Sequence, residues 1–497
     1  MCKTNIEMEI PFETDELVEK NVDNVGSSIE TDKPVSNELT NLPSNLIGES
    51  DLEEVNGKNP QINHKIYGAE AYERLFASQH APEEPKRRPR FIQIVTKPLP
   101  LHTQTAGGLT SITGFSTYAD NVNFLYSDNT PKELRTNNYV VGENGVGKLF
   151  IKLLLDAILH LISKDDEEGW EVDKKYKKSK VAAGERKTDE RPQVKIRLIS
   201  PNITKPELNQ LGDESEGKPL FLYVPEPDEL DTLKGGRYGR QHFEVLKKAD
   251  DEKNTAGQMR AGSKSVSAKY NLRLNYVIEI RPTQLLDFFK GEIVNGARDR
   301  ASICEIQAPT DKRKWPKMGD LGEKYQEAIR PYIDNIIAAK GTIVCKRALK
   351  LITKLRNEFF EYYDETQDDV LELMTHRALC RAFKRACLIF IADGQQWDPA
   401  LDSWIRWSFM YDMWQQFHYF YEAICEANRG LKVTSIERGP KSMRKLLPQV
   451  FTFEQLKQLY IKLGKYVDDE NIHGTIRSWI NRGYIERTES GEYRQLK

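Results

Sequence analysis

The residues with the clearest chemical potential are Gly142-Glu143-Asn144-Gly145-Val146-Gly147-Lys148. Glycines at 142, 145 and 147 let successive backbone N–H groups converge on an anion, and the lysine adds a point charge. The apolar run Asn138-Tyr139-Val140-Val141 just before the loop reads as a short buried strand. After it, Ile151, Leu154, Leu155, Ile158, Leu159 and Ile162 recur at helical spacing. Strand, glycine loop and helix form the context of a phosphate-binding loop, because the helix N-terminus adds its own partial positive charge. The position after Lys148 is Leu149, where such loops carry Ser or Thr as a magnesium ligand. Two expectations follow: nucleotide is bound without turnover, or a carboxylate elsewhere holds the ion.

Carboxylates are supplied by Pro225-Glu226-Pro227-Asp228-Glu229-Leu230-Asp231, directly after the strand-like run Leu220 to Val224. In open α/β sheets the C-terminal edge of the strands is where ligands bind. Glu226 is the candidate to orient a water and Asp228 the candidate metal ligand, whereas Glu229 and Asp231 read equally well as the start of a surface helix. Arg300 is a candidate arginine finger toward a neighbouring subunit. Taken alone, Arg298 and Arg300 are ordinary surface arginines.

These residues must be positioned by the elements around them. Residues 1–62 are acidic and rich in Asn and Ser, with no sustained apolar period, and read as a disordered tail. Residues 63–104 read as a short helix from Tyr67 to Ser78, the basic run Lys86-Arg87-Arg88-Pro89-Arg90 and a strand-like segment, Phe91 to Val95. From 105 to 317 strands and helices alternate, the signature of an α/β unit with a parallel sheet. Strands are expected at Val194 to Ile199, Leu220 to Val224 and Leu272 to Ile280. Thr204 with Glu207 signals a helix start, and another helix is expected from Gln284 to Phe289. Lys164 to Gln193, nine basic and nine acidic residues, reads as an exposed insertion. From 318 to 435 the strands stop and aromatic-rich amphipathic helices take over. There Trp397, Trp404, Trp407, Trp414, Phe417, Tyr419 and Phe420 are read as core, and His376 and His418 as structural histidines. Residues 440–497 open with Thr452 and Gln455 in a capping box and a Phe451/Leu456 staple. A second helix, Asp468 to Arg482, ends at Gly483, and a hairpin completes a winged helix.

The succession resembles the primase-helicase family of P-loop ATPases from mobile genetic elements and prophages. The resemblance rests on Tyr139-Val140-Val141-Gly142 through Lys148, Leu198-Ile199-Ser200-Pro201-Asn202-Ile203-Thr204, and Glu226 through Leu233. It continues in Arg281-Pro282-Thr283-Gln284, Asn295-Gly296-Ala297-Arg298-Asp299-Arg300 and the helices around Arg377 to Ile391. It covers about residues 105–425 and implies an α/β P-loop NTPase core with a RecA/AAA-like parallel sheet, followed by an all-α domain and the winged helix. By the resemblance Gly142, Gly145, Gly147 and Lys148 hold the phosphates of ATP with Mg2+, Glu226 is the catalytic acid and Arg300 bridges subunits of a homo-oligomeric ring. Leu149 departs from the pattern, and Glu279-Ile280-Arg281-Pro282 stands where the family has a Thr-Gly-Thr-Pro sensor turn.

Composition bounds the function class. The chain has 497 residues, 39% apolar and 30% charged, with no long uninterrupted apolar stretch and no secretory signal after Met1. It therefore reads as cytoplasmic, with no membrane partner. Six scattered cysteines form no C-x-x-C pair and are expected to be reduced and mostly buried. Residues 1–60 carry a net charge of −10, leaving +8 on the rest, and residues 432–497 carry +5. A basic body of this kind can face DNA, single-stranded or duplex. The leading reading is an ATP-binding helicase-like protein of mobile-element or phage DNA replication, with priming left to a separate chain. The rival reading is a hydrolysis-deficient, nucleotide-gated DNA-binding or scaffolding protein, an initiator or regulator. A third is a structural adaptor in which the glycine spacing is coincidental.

Overall fold

The computed structural model describes residues 68–182, 192–234, 241–258, 268–293, 296–309, 311, 313–429, 443–463 and 467–496. The acidic tail, Asn295, Pro440 and the end of the charged insertion lie outside the described residues.

Five parallel strands form the central sheet: β1 (Asn137–Val141), β2 (Leu198–Ile199), β3 (Leu220–Val224), β4 (Leu274–Ile280) and β5 (Ile303–Glu305). Their spatial order is β5-β1-β4-β3-β2. Every residue of β1 and β4 is buried, as expected for strands covered on both faces. Val140 stands beside Glu279 on one side and Cys304 on the other. Polar residues inside these strands are satisfied locally. Asn275 accepts from the Thr136 amide at 2.9 Å, and Asn138 donates to Thr113 Oγ1 at 2.6 Å.

The connection leaving β1 runs toward β2 at one edge, while that leaving β4 runs toward β5 at the other. Neighbouring strands that send their connections opposite ways leave a crevice at their C-terminal ends. The glycine loop opens into that crevice, between β1 and helix α2 (Lys148–Ile158), which is followed by α3 (His160–Ala182). Helix α1 (Leu101–Ser116) packs along α2 through small residues. A Cβ at Gly114 would sit 3.1 Å from Leu155 and 3.2 Å from Ile158, so the missing side chain permits this approach.

Several elements differ from expectation. Phe91 to Val95 is not a strand but part of a helix, Arg90–Thr96. Phe91, Ile92 and Val95 share one helical face, and the Phe91 ring meets Phe115 at 4.9 Å and Tyr332 at 5.2 Å. Of Val194 to Ile199 only Leu198–Ile199 is strand, and at its start the buried Asp166 carboxylate accepts from the amides of Arg197 and Leu198 at 2.9 and 2.7 Å. The charged segment from Lys164 continues α3 to Ala182 as a mostly exposed helix stitched by pairs such as Lys177 to Asp173 at 2.7 Å. A short strand, Gly341–Ile343, appears after residue 318 and pairs in parallel with Val122–Leu125. Arg298 is buried, contrary to its surface reading, with Gln416 Oε1 at 3.4 Å.

The helical region comprises Glu323–Ala338, Lys346–Thr366, α4 (Asp369–Ala392) and α5 (Leu401–Arg429). Trp404, Trp407 and Trp414 are buried and their indole N–H groups donate to Glu84 Oε1, the Pro82 carbonyl and the Ser78 carbonyl at 2.7, 2.8 and 3.0 Å. The aromatic set thus straps segment 78–84 onto α5, giving each buried indole its partner. His418 stacks on Trp414, and His376 is exposed beside Glu372. Cys304, Cys345, Cys387 and Cys425 are buried free thiols.

A second apolar core gathers Phe451, Leu456, Ile472 and Trp479. Helices Phe453–Lys462 and Asp469–Asn481 are followed by antiparallel strands Ile485–Arg487 and Tyr493–Gln495, the latter also pairing with Val450–Phe451. The capping box forms as expected: Thr452 Oγ1 accepts from the Gln455 amide at 3.2 Å, and Gln455 Oε1 from the Thr452 amide at 2.9 Å. Among the described residues no helix is long and apolar enough to cross a membrane.

Candidate functional site

The glycine loop begins at the floor of the crevice. The Gly142 amide donates to the Ile280 carbonyl at 3.1 Å, and the Ile306 amide donates to Val141, so the start of the loop is held between β4 and β5. Gly145 and Gly147 adopt φ of 80° and 104°, where side chains are strained. A Cβ at Gly147 would also lie 2.8 Å from the Phe150 ring. The loop turns at Asn144 and Gly145 before entering the helix. His102 of α1 donates through Nε2 to the Val146 carbonyl at 2.9 Å and props the loop from outside. Helix α2 starts at Lys148, so its N-terminal amides and dipole face the same space. Lys148 Nζ donates to the Gly142 carbonyl at 3.1 Å across the loop. This arrangement can cradle an anion in backbone amides with one ammonium beside it.

Next to the loop lies an open cleft of about 600 Å³, bounded by Leu149, Lys152, Tyr223, Pro225, Glu229 and Glu279 among others. Leu149 is 64% exposed and forms part of its wall. Glu279, buried in β4, accepts a hydrogen bond from the Tyr223 hydroxyl. Burial raises its carboxyl above the usual range, although the Tyr223 hydroxyl and the Lys148 and Lys152 ammoniums pull the other way.

The structure brings Gly142, Gly145, Gly147 and Lys148 together as one loop. Glu226 follows β3 in extended conformation and is exposed, as is Asp228 in the turn Pro227–Leu230. Neither belongs to the cleft wall, whereas Glu229 does. Arg300 sits at the N-terminal edge of the sheet, where its carbonyl accepts from Asn137, at the end of the strands opposite the glycine loop. Its guanidinium is held by Asp251 at 2.6 Å and the Gly296 carbonyl at 2.7 Å.

Sequence reasoning missed Glu279, Tyr223, Lys152 and His102. A signal existed for Glu279: one acid inside the mostly apolar stretch of β4 has no structural reason to be there unless it meets a partner. Lys152 stands one helical turn beyond Lys148, a spacing that returns a side chain to the same face.

Magnesium needs hard oxygen donors in near-octahedral array. Beside this loop the position of the usual hydroxyl ligand carries the isobutyl group of Leu149; of the oxygen donors on the cleft wall, Asp156 is paired with Lys152 and buried Glu279 accepts from Tyr223, which leaves Glu229 and the Ser200 hydroxyl, and among the described residues no group of three or more His, Cys, Asp or Glu side chains is placed to hold an ion. The residues present do not fit that metal.

The sequence matches no protein-family model and no curated protein. Among solved structures, one described as "SCCmec type IV Cch - active helicase" shares 14% identity over 78% of this chain, with a TM-score of 0.23. The match spans 66% of that chain, less than two thirds of its length, and is too loose to carry a fold or an activity across.

Proposed function

We propose that this chain is a P-loop protein that binds ATP through Gly142, Gly145, Gly147 and Lys148 and uses the bound nucleotide to control its grip on DNA. The observation that carries the reading is the loop itself: two left-handed glycines between a fully buried central strand and a helix N-terminus, with a lysine at the mouth. The strand order, with the loop-bearing strand flanked by β4 and β5 and the acid-bearing β3 beyond β4, supports a RecA/AAA-like core. The basic balance of the body supports DNA as partner. In the C-terminal unit, read as a winged helix, Asn471, His473 and Arg477 form the exposed face of the second helix.

A motor of DNA replication, with Glu226 orienting water and Arg300 acting in a neighbouring subunit of a ring, is the second reading. Its support is Glu226 at the C-terminal end of β3; Arg300, at the opposite end of the strands, would have to leave Asp251 and the Gly296 carbonyl to reach a neighbouring subunit. Leu149 favours the gate over the motor. Equilibrium dialysis of labelled ATP tests the common core of both: Lys148→Ala is expected to weaken binding by at least about tenfold, and unchanged binding would refute the loop assignment. DNA-stimulated ATP hydrolysis that disappears in Glu226→Gln would select the motor.

A further inference from the structure

We propose that the glycine loop takes nucleotide phosphate without a divalent metal, and that the ammonium of Lys152 supplies the second positive charge at the site. The inference rests on the phosphate-loop reading above and deepens it. A triphosphate seated on the loop needs more positive charge than Lys148 and the helix N-terminus offer, and phosphate loops usually obtain it from magnesium. Here the metal's ground is taken by other chemistry. Leu149 projects an exposed isobutyl group into the cleft where a hydroxyl ligand would stand. Strand β3 runs out in Val224 and Pro225, with Glu226 exposed and outside the cleft wall, and of the wall's carboxylates Asp156 is paired with Lys152 and Glu279 accepts from Tyr223, which leaves Glu229.

Lys152 occupies the vacated electrostatic role. It lies four residues after Lys148 on α2, and helical side chains lean back toward the N-terminus, over the preceding turn. Its ammonium stands 5.3 Å from the Tyr223 ring centroid, inside the cleft wall. Glu279 lines the same cleft as Lys152, and the charges of Lys148 and Lys152 both act on its carboxyl. The partner now holding Lys152 is Asp156, at the (i, i+4) position and 55% exposed. A surface pair of that kind contributes little and is readily exchanged for a phosphate. A resident ammonium also repels a divalent cation, so the same residue that replaces the metal excludes it.

The test is equilibrium dialysis of labelled ATP against the full-length protein, once with EDTA and once with excess magnesium chloride. Wild-type affinity is expected to agree within about twofold between the two conditions. In EDTA, Lys152→Ala is expected to weaken binding by about tenfold, and Lys152→Arg, which keeps the charge, to retain it. Lys152 is 36% exposed and its ion pair is with a surface carboxylate, so both variants are expected to fold. Binding that vanishes in EDTA but survives in magnesium would overturn the metal-free site while leaving the loop assignment intact. Wild-type affinity in Lys152→Ala would overturn the role of that ammonium. No binding in either condition, or binding indifferent to Lys148→Ala, would remove the phosphate-loop reading itself and this inference with it.

Discussion

Replacing Gly147 by alanine tests whether the loop is held in the conformation that binds. At φ 104° the residue lies beyond even the ordinary left-handed region, and an alanine Cβ would stand 2.8 Å from the Phe150 ring. A non-glycine residue in such a conformation costs about 1–2 kcal/mol, and the contact with Phe150 adds to it. An exposed loop can escape that strain by relaxing when empty, so the penalty falls on binding: nucleotide must pull the loop back. Between about 1 and 2 kcal/mol this is a loss of roughly 5- to 30-fold in affinity. Gly145 provides the control, because φ is 80° there but a Cβ added at that position would meet nothing within 4 Å. Gly145→Ala therefore carries the backbone penalty alone, and its loss should lie at the low end of that range, about fivefold. Labelled ATP titrations on the two variants decide the matter. Affinity in Gly147→Ala equal to wild type, or a greater loss in Gly145→Ala, would refute the reasoning.

Other consequences follow from buried charge. Asp412 is fully buried and accepts from Arg385 at 2.9 and 3.1 Å and from Arg381 at 2.9 Å, while Arg385 also donates to Ser302 beside β5. Asp412→Ala leaves two guanidiniums without their counter-ion and should cost about 3–5 kcal/mol in chemical denaturation. A loss near zero would mean that the pairs contribute nothing to docking α4 on α5. Burial, reinforced by the negative charge of Asp398, lifts the Asp393 carboxyl from 3.8 to about 6. The folded state then binds that proton more tightly than the unfolded one, so the site loses stability as pH rises from about 4 to 6. Asp393→Asn should raise the melting temperature at neutral pH and flatten its pH dependence across that interval, and a variant melting curve parallel to wild type would contradict this.

Much of the chemistry is legible in local sequence because it is local. The strand, loop and helix from Asn138 to Ile162, the Thr452 capping box and the tryptophan core depend on spacing within one turn or one element. Phe91 to Val95 misleads because a short apolar run satisfies both strand and helix periods, and the arbiter is long-range packing on Phe115 and Tyr332. The strand expected from Val194 begins only at Leu198, where Asp166, a side chain some thirty residues earlier, takes the amides of Arg197 and Leu198. Sheet order carries no local mark at all, so the pairing that sets Glu279 beside Val140 and Tyr223 appears only in three dimensions. For the same reason the buried acid on which the Lys148 charge acts is not the one that follows β3 in sequence.

The most direct test of the central claim is labelled ATP binding to the full-length protein, compared between wild type and Lys148→Ala under identical salt. Saturable one-site binding to wild type is predicted, with a loss of at least about tenfold in the variant. Equal binding by both, or no saturable binding by wild type, would contradict it.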